Sequence, residues 1–126
     1  MPFTSAAFNI KSLFFTALLV VLVLSLVPLN ALVQIEFNLW DKAQHALGFM
    51  ALTALGLWAF PTSTQRVVFG LIAFGLLIEA LQASVGWRQA EALDWFADIL
   101  GIALVARVVW WVRQRACTHS RGCSTD

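Results

Sequence analysis

Glu79 stands inside an otherwise apolar run, residues 67–85, about six residues from the nearer end. At about 1.5 Å of helical rise per residue, its carboxyl group lies roughly 9 Å inside the run. An acidic side chain at the centre of a membrane helix costs about 2.5 to 3.5 kcal/mol, and less near an interface. A group at this depth therefore calls for a partner or a function. Gln82, three residues on, shares its helical face. Two other apolar runs open on polar residues in the same way. Asp41, Lys42 and His45 begin one, Asp94 and Asp98 begin another, and Arg88 and Glu91 lie in the connection before it. Asp41 with His45, and Asp94 with Asp98, are four apart, which puts each pair on one helix face.

These residue types carry acid–base and anion chemistry. His45 can exchange a proton near neutral pH, Glu79 or Asp94 can orient it or trade protons with it, and Lys42 or Arg88 can hold a phosphate or carboxylate. His45, Glu79, Arg88 and Asp94 form the expected catalytic or binding centre, with Asp41, Lys42, Gln82 and Asp98 in support. As an ion-pair network the set is incomplete. Lys42 and Arg88 face four carboxylates, Asp41, Glu79, Asp94 and Asp98, leaving two negative charges uncompensated unless His45 is protonated. A held proton, water, a divalent cation or a cationic ligand would complete it. His45 with Asp94, Asp98 and Glu79 is an acceptable divalent-cation set, though weaker than a paired-histidine motif, and no other cofactor is expected. Ser84 and Thr53 are the nearby hydroxyls, and neither sits in a recognisable nucleophile motif.

Bringing these residues into one layer is a task for membrane-spanning helices. The 126 residues are 60% hydrophobic and 12% charged, with a mean hydropathy of +0.81, against roughly 25% charged in an average soluble domain. Eight basic and seven acidic side chains are too few to clothe a soluble surface, so the membrane is the natural solvent. A net charge of +1 offers no basic field for nucleic acid, and the composition is not that of a disordered chain. Four runs can cross about 30 Å of hydrocarbon: residues 12–29, 43–60, 67–85 and 95–112. Backbone satisfaction in lipid makes each a helix. Pro28 with Asn30 ends the first, Pro61 to Thr64 turn the chain before Arg66, and the polar stretch 84–93 contains Gly86. Connections this short leave no second domain. The expected fold is one all-α membrane domain, a bundle of four transmembrane helices, followed by a flexible cytoplasmic tail at 113–126.

Charge asymmetry sets the expected orientation. Lys11, Arg66, Arg107, Arg113, Arg115 and Arg121 fall on one side of a four-span arrangement, and Lys42 and Arg88 on the other. The positive-inside rule then places both termini in the cytoplasm and the polar cluster at the outer face. Trp40, Trp87 and Trp95 at the outer ends, with Trp58, Trp110 and Trp111 at the inner ends, read as interfacial belts. The first span reads as an uncleaved helix, because its apolar stretch is long for a signal peptide and Leu29-Asn30-Ala31 is a poor cleavage site. Cys117, His119 and Cys123 read as reduced thiols and a histidine in a polar tail rather than as a metal site.

The polar residues, in this order, resemble the VanZ-like family of small bacterial membrane proteins. Asp41-Lys42-Ala43-Gln44-His45 is similar to D-K-x-x-H and is followed by the apolar Gly48-Phe49-Met50-Ala51-Leu52-Thr53. Gly75 through Glu79 to Gln82 is similar to G-x-x-x-E-x-x-Q, and Arg88, Asp94 and Gly101 follow. The resemblance covers about residues 40–105 and departs at Asp98, where the family pattern usually has Asn. It implies a bacterial cytoplasmic-membrane protein linked, through the family's association with teicoplanin resistance, to the cell envelope rather than to a defined reaction.

Three readings follow. In the first, an outward-facing site binds or processes a lipid-linked or cell-envelope molecule, with membrane lipids as the other partners. In the second, the protein is a metal- or proton-coupled binding or transport element. In the third, the polar groups only pin the helix ends together, with Asp41 and Lys42 as helix caps and Glu36, Gln44 and Glu91 solvated.

Overall fold

A computed structural model describes residues 3–27, 38–86 and 91–119, and among them the regular structure is entirely helical. The helices are α1 (Phe3–Leu26), α2 (Asn38–Ala59), α3 (Thr64–Val85) and α4 (Ala92–His119). Three are long and apolar enough to cross a membrane: α1 over Asn9–Leu26, α3 over its whole length, and α4. α2 has the same 22 residues as α3 but is less apolar, because its first two turns carry Asp41, Lys42, Gln44 and His45.

All four helices begin before the apolar runs, by three residues or more, and one ends well after. α1 begins at Phe3 rather than at 12, α2 at Asn38 rather than 43, and α4 extends from Ala92 to His119 rather than over 95–112. Hydrocarbon thickness limits an apolar run, whereas helical hydrogen bonding continues until a breaker or a competing partner stops it. The expected flexible tail is corrected accordingly, since 113–119 continue α4; Cys123 lies outside the described residues. Arg113 ties the extension down by donating to the carbonyls of Leu57 at 3.4 Å and Pro61 at 3.3 Å and to Thr64 Oγ1 at 3.2 Å. α1 stops at Leu26, two residues ahead of Pro28 and short of the expected 29. Gly86, at φ 75°, caps α3 in the left-handed conformation that glycine adopts without steric cost.

Long-range contacts fix the register. Lys42 meets Glu91, Gly101 sits against Ala46, and Arg113 reaches Leu57, so α2 and α4 run side by side in the same direction. Gly56 meets Val67 and Phe49 approaches Gly75, so α3 runs opposite to α2. Gln82 reaches Ser25 at the far ends of α3 and α1, which makes those two parallel. The core runs through this arrangement as Phe14, Phe49, Leu52, Leu57, Val67, Leu71, Ile78 and Ile102. Its outer surface is apolar as well, with Trp58 and Phe69 each 68% exposed and Leu100 70% exposed. Faces of that kind suit lipid rather than water.

Two glycines set the helix spacing. A Cβ on Gly101 would lie 2.6 Å from the carbonyl oxygen of Ala46, so α2 and α4 touch backbone to side. The close approach is the one that a small residue at a helix–helix contact allows. A Cβ on Gly75 would stand 3.2 Å from Asp98 Oδ2 and 3.3 Å from the Trp95 ring, so α4 lays a carboxylate over α3 where the side chain is missing.

Candidate functional site

Because α2 and α4 are parallel and α3 is antiparallel to both, the start of α2, the end of α3 and the start of α4 lie at one end of the molecule. Helical periodicity then decides which side chains turn inward. Asp94 and Asp98, one turn apart, are 5% and 1% exposed; Glu79 and Gln82 on α3 are 8% and 1% exposed. With Lys42 and His45 from α2 they make one layer, as expected from the sequence. The Asp41 backbone belongs to the first turn of α2, while its side chain lies outside the described part of the structure. Arg88 also lies outside the described residues.

Charged side chains at this end join α2 to α4 and to Glu91 just before it. Lys42 Nζ donates to Glu91 Oε2 at 2.7 Å and stands 3.6 Å from Asp94 Oδ1, all partly or fully withdrawn from solvent. One turn deeper, His45 Nδ1 lies 3.3 Å from Asp98 Oδ1, an ion-pair contact off the hydrogen-bond axis between two buried side chains. Lys42 is therefore a structural cation already engaged by two carboxylates, and His45 is the group held deepest beside an acid. Asp98 is the residue that faces it.

Glu79 lies within electrostatic range of Asp94, His45, Asp98 and Glu91. Its Oε1 is fully buried and accepts no hydrogen bond among the described residues, and the same holds for Asp98 Oδ2. Gln82 behaves differently, its Nε2 donating to the carbonyl of Ser25 at 2.9 Å and tying the end of α1 to α3. Gln82 is thus a strut, and Glu79 and Asp98 present acceptors with no donor among the described residues. Thr53 is fully buried and spends its hydroxyl on the Phe49 carbonyl at 2.6 Å, away from any reactive role.

Three features escaped the sequence reading. Glu91, read as solvated, pairs with Lys42. Its signal was the three-residue spacing to Asp94, one turn along the same face, and its backbone carbonyl accepts from Asp94 N at 2.9 Å. Trp95, read as an interfacial belt residue, turns inward over Gly75 and donates Nε1 to the Ile72 carbonyl at 3.3 Å. Glu91 also adds to the layer a carboxylate that the sequence count left out. Among the described side chains of the layer, Glu79, Glu91, Asp94 and Asp98 face Lys42 and His45.

Among the described residues, no three His, Cys, Asp or Glu side chains gather closely enough to hold a metal ion. A cavity of about 390 Å³ lies at the other end of the molecule, between α1 and α3. What the layer offers chemically is buried acceptor oxygens beside an imidazole, an arrangement that receives hydrogen-bond donors or protons. No family model, curated protein or solved structure matches the chain.

Proposed function

We propose that this chain is a four-span, VanZ-like integral membrane protein of the bacterial cytoplasmic membrane with both ends cytoplasmic. Its polar layer faces outward and binds the polar head of a lipid-linked or cell-envelope molecule. The span assignment of α2 rests on its packing between the apolar helices, which lets its polar first turns meet the other carboxylates rather than lipid. The orientation rests on the basic end of the molecule, where Lys11, Arg66, Arg107, Arg113 and Arg115 collect. The order of D-K-x-x-H, E-x-x-Q and Asp94 with Gly101 supports the family reading.

One observation carries the function: Glu79 Oε1 and Asp98 Oδ2 are buried without donors among the described residues. A buried acceptor left unsatisfied costs about 1 to 3 kcal/mol, more when charged. Hydroxyl or ammonium groups on a ligand head would satisfy both oxygens and bring a donor to His45. Glu79 and Asp98 are then the binding acceptors, His45 the proton-exchanging group, and Lys42 with Glu91 and Asp94 the clasp that holds α2 to α4.

Mass spectrometry of molecules retained from a bacterial membrane extract tests this. Wild type should retain an envelope amphiphile that folded Glu79→Gln and His45→Gln variants lose; identical retention by all three would contradict the reading. The His45–Asp98 contact favours a second reading, a proton- or metal-coupled binding element. It predicts that divalent ions or a pH change, rather than the extract, distinguish wild type from the variants.

A further inference from the structure

The cavity between α1 and α3 belongs to the basic end of the molecule, away from the polar layer. Phe14, Leu18, Leu71 and Phe74 wall it, and Ser63 and Arg66 are part of its lining. Gly70 also lines it, and a Cβ there would meet nothing within 4 Å, so the groove is open beside this helix position. At about 390 Å³ it is ligand-sized, within the roughly 300 to 1,000 Å³ of small-molecule sites. Two cations flank it. Arg66 makes no hydrogen bond or ion pair with any described residue. Lys11 Nζ lies 5.2 Å over the ring of Phe60, another lining residue. Arg113, at the same end, is by contrast engaged by α2 and the turn after it.

An apolar trough with two cations at one end complements an amphiphile with an apolar chain and an anionic head. We propose that this groove is a binding site for an anionic phospholipid, one acyl chain lying along Leu18 and Gly70 and the headgroup phosphate held by Arg66 and Lys11. A zwitterionic lipid offers the chain but returns a positive charge to the cations; free phosphate offers the charge without the chain. The site is independent of the polar layer and of the function proposed for it.

The full chain in neutral detergent, titrated with phosphatidylglycerol, phosphatidylcholine of the same acyl chains, or inorganic phosphate and read by native mass spectrometry, tests the proposal. Each basic residue near an anionic headgroup contributes about fivefold in affinity. Phosphatidylglycerol should therefore bind about 30-fold tighter than phosphatidylcholine, with phosphate alone not binding. Arg66→Gln should lose about fivefold, and the double variant with Lys11→Gln should bind both lipids alike. Gly70→Leu, which fills the trough, should lose both lipids, while Arg107→Gln, a basic change outside the groove, should bind as wild type. Equal binding of the two lipids, equal binding of phosphate, or full binding by folded Gly70→Leu would each overturn the proposal. If Gly70→Leu does not fold, Leu18→Trp blocks the trough from the opposite wall and carries the same expectation.

Discussion

At Asp98, one side chain answers two questions, because its Oδ1 faces His45 at 3.3 Å while its Oδ2 has no donor among the described residues. Were the carboxylate only a support for His45, replacing it would break a buried pair and cost about 3 to 5 kcal/mol. As a ligand acceptor held against its own preference, it is a source of destabilisation. Asp98→Asn, which keeps the shape and removes the charge, is expected to melt in detergent at or above the wild-type temperature. The clasp behaves otherwise: Lys42 and Glu91 side chains are 21% and 35% exposed, so Glu91→Gln should lower stability by no more than about 1 kcal/mol. Gln82→Met should cost about 1 kcal/mol by removing the hydrogen bond to Ser25 while keeping the volume, read as a lower melting temperature. His45, Glu79, Gln82, Asp94 and Asp98 were legible in the sequence because an apolar helix tolerates such groups only when they turn inward. Glu91 and Trp95 were not, since a loop charge is ordinarily solvated and a tryptophan at a helix end ordinarily lies at the interface.

Among the elements, the α2–α4 contact decides the geometry of the layer. A methyl group on Gly101 would meet the Ala46 carbonyl at 2.6 Å, and backbone cannot retreat as a side-chain tip can. Gly101→Ala should therefore cost about 1 to 3 kcal/mol and loosen both the Lys42 and the His45 contacts. Gly70→Ala, into open space on α3, should be neutral or stabilising by up to about 1 kcal/mol through helix propensity. Thermal melts of the pair in one detergent check both, and equal effects would contradict the packing described here. The apolar runs revealed the elements because hydrocarbon imposes their length. They under-reported the helix ends, because α2 and α4 continue through polar turns whose groups are satisfied by other helices. The tail at 113 read as unstructured for the same reason: nothing in the sequence announces that Arg113 finds partners at Leu57, Pro61 and Thr64.

For the whole molecule, an apolar exterior surrounds a polar layer at one end and a cluster of basic residues at the other. Labelling intact cells tests the proposed four-span orientation. With Cys117 and Cys123 replaced by Ser, Ala92→Cys should react with an impermeant maleimide from outside and Thr62→Cys only after lysis; the reverse pattern would invert the topology. The central claim is that the polar layer is a ligand site maintained at the expense of stability. Its most direct test is the melting temperature of the double variant Glu79→Gln/Asp98→Asn beside wild type, with and without bacterial lipid extract. The prediction is an equal or higher melting temperature without extract and loss of that part of the extract's stabilisation of wild type that exceeds the effect of purified phosphatidylglycerol, which remains. A melting temperature several degrees below wild type, with the response to extract intact, would show the layer to be a structural clasp and contradict the account.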